Sequence, residues 1–265
     1  MKKFSIPRTA LLCVIVVIGA NWFVNAGPPS LTPPPGPIME SGRFGTRCDI
    51  LSLPGNATAL HVIDQPGSYY LSGNLMGQAM MHGIQIAGNV DNVTIDLNGF
   101  SLIGVTDSLN GINMVTFAEN CVIKNGHAHT WGGDGMFLRI DIGRVENITS
   151  SRNLRWGIYC DPSSFSAKVV SCEVWRNGDP TDATLYGGIF VDDHGIVRDC
   201  LAHDNNGDGL RVGPEVSVLN CVATSNSEDG IQHASNCLIR GCIATGNVAS
   251  QYNGIGAGSL LVDNR

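Results

Sequence analysis

Between Gly188 and Asn247 the chain repeats itself every 21 residues without a gap. Ile189, Leu210 and Ile231 form one column, and Val197, Val218 and Ile239 another. Cys200, Cys221 and Cys242, then Ala202, Ala223 and Ala244, then Asn205, Asn226 and Asn247 keep the same register. Self-similarity at such a period is the mark of units that stack on one another. Looser copies run upstream, each opening on glycine and an alternating apolar pair: Gly83-Ile84, Gly111-Ile112, Gly135-Met136 and Gly157-Ile158. From Gly83 through Gly111, Gly135, Gly157, Gly188, Gly209 and Gly230 to Gly254 the steps are 28, 24, 22, 31, 21, 21 and 24 residues.

Each unit holds about three short segments of period-two alternation, broken by Gly, Asn or Asp, and none shows the 3.6-residue period of a sustained helix. A unit of three short strands cannot bury its apolar side alone, so it must lie on its neighbours. The sequence therefore predicts an all-β chain, a single-stranded right-handed parallel β-helix (solenoid) of about eight coils over residues 41–265. A leucine-rich solenoid has a comparable period but needs a leucine and asparagine consensus that is missing here.

Pro66-Gly67-Ser68-Tyr69-Tyr70-Leu71-Ser72-Gly73-Asn74-Leu75, followed by Asn92-Val93-Thr94-Ile95-Asp96-Leu97-Asn98-Gly99-Phe100, resembles the opening of secreted bacterial right-handed parallel β-helix repeat proteins of the pectin-lyase-like superfamily. Later units such as Val218-Leu219-Asn220-Cys221-Val222-Ala223 are similar to its repeat consensus. The resemblance covers residues 60–265 and implies the fold. The same fold carries lyases, hydrolases, epimerases, tailspikes and adhesins, so function has to come from the site.

Residues 1–26 carry Lys2, Lys3 and Arg8, the apolar run Ala10 to Ala20 and the small-residue sequence Val24-Asn25-Ala26. This pattern predicts a secretory signal peptide, its apolar run being short for a membrane span of about 20 residues. Residues 27–40 follow as a spacer, with six of the twelve prolines between positions 27 and 38, a composition that favours extended polyproline II. The whole chain has 16 Lys and Arg against 23 Asp and Glu, a net charge of −7. Loss of the leader leaves 13 against 23, or −10. Such a chain lacks the basic patch that collects phosphates, so nucleic acid is excluded as a partner. A neutral, cationic or metal-bridged partner is expected.

Eight cysteines remain after the leader, and Cys172, Cys200, Cys221 and Cys242 share an inward column. Their side chains point in parallel, whereas a disulfide needs converging Cβ vectors. Buried free thiols are therefore expected. No CxxC pair occurs, so no metal is assigned. The column Asn177, Asn205, Asn226 and Asn247 suits corners in left-handed backbone, with side-chain amides bonding from coil to coil.

In the strand after each glycine, alternation turns the third residue of the unit outward. That outward column reads Gln85, Asn113, Phe137, Tyr159, Phe190, Arg211, Gln232. Phe137, Tyr159 and Phe190 on successive coils form a ladder on which sugar rings can stack. Arg139, Asp161 and Asp192 lie two residues further on, and insertions at 161–167 and 178–187 could wall a groove. A competing expectation is that these loops fold over the rings as a small satellite core.

A second constellation precedes the glycines: Asp134, Asp208 and Asp229, with Glu228 beside the last. Asp208 and Asp229 lie one coil apart, a spacing suited to a general acid and a partner carboxylate. Asn206-Gly207-Asp208-Gly209 resembles the first catalytic motif of polygalacturonase-like hydrolases, and Glu228-Asp229-Gly230 part of the second. The histidine of their third motif is missing at Tyr252-Asn253-Gly254. Pectate lyases of this fold imply calcium on carboxylates with an arginine base, a set that Asp161, Asp192 and Asp193 with Arg139 or Arg211 could supply. The functional expectation is a secreted protein that binds or processes a polysaccharide or cell-surface glycan along the post-glycine sheet. The alternative is a structural or adhesive surface β-helix, with self-association at an open C-terminal edge.

Overall fold

The computed structural model describes residues 47–265 other than 163, 183 and 185. The expected signal peptide and proline-rich spacer lie outside the described residues. The described chain winds as a parallel β-solenoid, and every strand pairing in it is parallel. Its one helical element among the described residues is a 3₁₀ turn at Ile50–Ser52, where Asp49 Oδ1 accepts the Leu51 N–H at 3.1 Å.

The 21-residue coil that begins at Gly209 shows how sequence becomes structure. Leu210–Val212 forms the post-glycine strand, Ser217–Leu219 the second and Val222–Thr224 the third. Asn220 and Ser225, at the two corners that follow, take positive φ of 52° and 57°. Each strand is only three residues long, with a buried centre or buried ends, so alternation alone decides what enters the core.

Nine strands, seven of them at a column glycine, form one sheet, from Ala59–Ile63 to Tyr252–Gly254. Ten second-face strands, from Cys48–Asp49 to Leu260–Val262, lie in a sheet of 16 strands that also holds the third face. Two long strands, Val122–His129 and Arg144–Ser151, run through both of those faces and join them. The expected eight coils were therefore too few. The missed one places Leu60 where the next seven coils have glycine, so a search anchored on glycine passes over it; the last coil has Gln251 there, and Gly254, expected to open that unit, instead ends its strand opposite His233.

The core is a stack of columns. Ile84, Ile112, Met136, Ile158, Ile189, Leu210 and Ile231 are fully buried, one per coil. Burying such a side chain contributes about 1.5–3 kcal/mol, and stacking places every one against its equivalents above and below. The inward cysteines join this core, and the eight cysteines among the described residues are free.

The asparagine column also stacks, but not as a set of left-handed corners. Positive φ falls on the preceding residues Arg176, Asp204, Ser225 and Gly246, while the asparagines turn inward and are buried. Asn177 Nδ2 donates to Asn205 Oδ1 at 3.1 Å, Asn205 to Asn226 at 3.0 Å, and Asn226 to Asn247 at 2.9 Å. The same oxygens accept backbone N–H groups, so the ladder satisfies buried polar groups that the corners would otherwise orphan. It also explains the repeating glycine. A Cβ on Gly209 would stand 2.6 Å from Asn226 Nδ2 and 2.8 Å from the Gly230 carbonyl.

Candidate functional site

Register fixes the outward column of the post-glycine sheet. Gln85 pairs with Asn113, Phe137 with Asn113 and Tyr159, and Phe190 with Tyr159 and Arg211; Arg211 then pairs with Gln232. The three aromatic rings form one stack. Phe137 and Tyr159 have centroids 5.5 Å apart at 27°, and Tyr159 and Phe190 are 5.0 Å apart at 33°. All three are half-buried.

Trp156 completes this cluster from the corner just before the strand. Its ring stacks on Tyr159 at 6.1 Å and meets the edge of Phe190 at 5.6 Å. Tyr186, contributed by the 178–187 insertion, has the Arg155 guanidinium 5.2 Å from its ring centre. Asp134, Phe137, Arg155, Trp156, Tyr159 and Tyr186 together line a pocket of about 180 Å³. Trp156, Arg155 and Tyr186 escape a reading by columns because corners and insertions follow no period. A tryptophan, an arginine and a tyrosine immediately flanking the ladder units were the available signal.

The arginines divide their roles. Arg139 Nε meets Asp161 Oδ2 at 3.2 Å, its Nη1 donates to the Val115 carbonyl at 2.5 Å, and its guanidinium lies 5.1 Å from the Phe137 ring centre. Arg211 Nε donates to Asp208 Oδ2 at 2.6 Å and its guanidinium stands 5.6 Å from the Trp156 ring centre. Asp192 is half-buried, and burial followed by repulsion from Asp193 and Asp161 pushes its carboxyl up to about 6. Burial first, then Asp161, Asp134, Asp192 and Tyr186, pushes the Tyr159 hydroxyl up to about 12.

The structure sets Asp208 and Asp229 into the wall. Asp208, 1% exposed, gives one oxygen to Arg211 and the other to the Asp229 N–H at 3.1 Å. Burial raises its carboxyl while Arg211 pulls it back down. Asp229 Oδ2 accepts from Asn253 Nδ2 at 2.6 Å and Gln232 Nε2 at 3.4 Å, and its Oδ1 is buried without a partner. Glu228 is half-buried beside this network, its backbone pairing with Gly207 and Ala249.

Asp161, Asp192 and Asp193 do not gather as a calcium cage. Asp161 is drawn to Arg139, and no group of three or more His, Cys, Asp or Glu converges as metal ligands among the described residues.

Asp134 differs from its equivalents. Its Oδ1 accepts the Trp156 N–H at 2.9 Å, as Asn110 Oδ1 accepts the Asp134 N–H at 2.9 Å one coil earlier. Of the two carboxylate oxygens of Asp134, only Oδ1 has a hydrogen-bond partner among the described residues, and the residue is 3% exposed. Burial pushes the Asp134 carboxyl up to about 7, against the pull of the Trp156 N–H and Arg155.

The solenoid and its columns define a right-handed parallel β-helix protein. The family model "Right handed beta helix region" matches residues 82–248, and the chain belongs to that family. No curated protein matches the sequence. Among solved structures, the chain is similar to the A-module of mannuronan C-5 epimerase AlgE6 from Azotobacter vinelandii. The TM-score is 0.62 at 13% identity, over 82% of this chain and 64% of that one. The chain thus spans less than two thirds of that module, and the likeness is one of fold. A glycoside hydrolase follows at a TM-score of 0.46 and 11% identity, over 69% of this chain and 38% of that one. The A-module of Azotobacter vinelandii mannuronan C-5 epimerase AlgE4 gives 0.41 and 16%, over 82% and 83%.

Proposed function

We propose that the chain, exported by the leader in residues 1–26, binds a polysaccharide lengthwise on the post-glycine sheet, with sugar rings lying along the outer edge of the ladder of Phe137, Tyr159 and Phe190. The observation that carries this reading is the continuous ring stack at 5.5 and 5.0 Å on three consecutive coils. Aromatic rings on an outward column cost solvation of an apolar surface, and the C–H face of a pyranose is a ligand that recovers it. Asn113, Arg211 and Gln232 continue the column beyond the rings with groups that hydrogen-bond hydroxyls. The fold-level likeness to a mannuronan-modifying module agrees with a polymer as ligand, without identifying it.

The test is retention of the purified chain on immobilised acidic and neutral polysaccharides, followed by calorimetry with oligomers of whichever is retained. Replacing Phe137, Tyr159 and Phe190 together by Ala should weaken binding by about tenfold or more while the coil stays folded. Undiminished binding by that variant would overturn the reading.

A further inference from the structure

The pocket at the start of the aromatic ladder is built around a carboxylate that the fold itself does not require. At the equivalent position one coil earlier, Asn110 supplies the oxygen that receives the next coil's backbone N–H. Asp134 does the same for Trp156 with Oδ1. An amide is therefore sufficient for the structural task, and the second oxygen of Asp134 is surplus to it. That oxygen belongs to a residue only 3% exposed that lines the pocket walled by Phe137, Trp156, Tyr159 and Tyr186, and among the described residues only the other oxygen has a hydrogen-bond partner.

A carboxylate this deeply buried is costly to charge, and aromatic faces carry negative potential of their own. Both features repel anions and attract a cation. Of the surrounding cations, two are held elsewhere. Arg139 is drawn to Asp161 and Arg211 to Asp208, which leaves Arg155 as the cation facing Asp134. Arg155 is exposed and lies on Tyr186, the kind of cation–aromatic contact that a ligand would make. The volume of about 180 Å³ is below that of a site for a drug-sized molecule, and suits the edge of one sugar residue.

We infer that this pocket is a subsite for the ammonium group of an amino-sugar residue, held between the Asp134 carboxylate and the rings of Phe137, Trp156, Tyr159 and Tyr186. The inference rests on the polysaccharide reading and specifies its substrate class: a glycan bearing free or alkylated amino groups. Arg155 then acts as a competitor at the rim, displaced when the ammonium enters.

The probes are three hexamers: glucosamine quaternised at nitrogen, whose charge does not titrate, its N-acetylated counterpart, and galacturonate. Binding is measured by calorimetry with the full chain at pH 8. The quaternised hexamer should bind at least about tenfold more tightly than the other two. Asp134→Asn, which keeps the acceptor for Trp156, should abolish that preference without lowering the melting temperature. Arg155→Ala should tighten binding of the quaternised hexamer. Equal affinity for the three hexamers, with binding still dependent on the aromatic ladder, overturns the ammonium subsite and leaves the polysaccharide reading standing. Preference for galacturonate, weakened by Arg155→Ala, overturns the subsite as well. Absence of binding to all three, together with no retention on any polysaccharide, overturns both.

Discussion

Arg211 Nε donates to Asp208 Oδ2 at 2.6 Å, and this bond joins a solvent-facing column of the solenoid to a carboxylate that is 1% exposed. Asp208 in turn holds the Asp229 N–H, so one side chain ties a surface residue to two coils. Removing the arginine strands the carboxylate. Arg211→Ala should cost about 2–4 kcal/mol in urea unfolding, because a buried charge loses its partner. Asp208→Asn should cost less, since its amide oxygen still accepts from Asp229. If the two substitutions were equally mild, the pair would contribute only as a surface ion pair does.

Asp134 makes stability depend on pH in a defined direction. Its folded value stands at about 7 against an ordinary 3.8. The group holds its proton longer folded than unfolded, so its contribution is fully present below pH 3.8 and is lost as pH rises through about 7. The charged group facing it is Arg155, which opposes the shift, while the Tyr159 hydroxyl, itself pushed up to about 12, stays neutral over this range. Between pH 4 and 8, Asp134→Asn should gain on the parent chain by a few kcal/mol, read as a gap between their melting-temperature curves that widens as pH rises. Curves that stay parallel would mean that the carboxyl titrates as an exposed one.

The difference between Asp134 and Asp208 shows how far the sequence alone could reach. Both precede a column glycine, and both look like turn residues. Period and alternation placed the inward columns, the cysteines and the ladder of Phe137, Tyr159 and Phe190, because each of these is decided by strand geometry and recurs once per coil. What period cannot supply is the partner of a side chain across a corner. Arg155 and Trp156 enter from a corner and Tyr186 from an insertion, so the pocket was invisible although the rings of the ladder were not. The left-handed residues were misplaced by one position for a related reason. Arg176, Asp204 and Ser225 bend the chain so that the next asparagine can turn inward, and a backbone role and a side-chain role that are adjacent in sequence look alike.

That asparagine ladder should be a structural weak point when interrupted in the middle. Asn226 accepts both the backbone and side-chain N–H of Asn205 and donates to Asn247 and to the Ala202 carbonyl. Asn226→Ala orphans buried groups on two neighbouring coils and should destabilise the solenoid by about 3 kcal/mol or more. Hydrogen exchange should show the loss in the adjoining coils first, since each coil leans only on its neighbours. A uniform change along the whole chain would show that the ladder is not a nearest-neighbour device.

The thiols give a check on the core that needs no ligand. Cys172, Cys200, Cys221 and Cys242 stack in one inward column, with the Cys221 N–H pointing to Cys242 Sγ at 3.5 Å, and seven of the eight cysteines among the described residues are buried. Cys48 alone of these is partly accessible. In the folded chain from residue 27 onward, a thiol-alkylating reagent should therefore modify Cys48 rapidly and the others only on the time scale of opening, with all eight becoming available in denaturant without a reductant. The sulfurs of the column also donate to backbone carbonyls, Cys221 to Leu219 at 3.3 Å and Cys200 to Arg198 at 3.2 Å, contacts that an oxidised sulfur would lose. Fewer than eight labels in denaturant, restored by a reductant, would mean that column neighbours have joined as disulfides. The Cβ atoms would then have to turn toward each other and bend the second and third faces out of their parallel register.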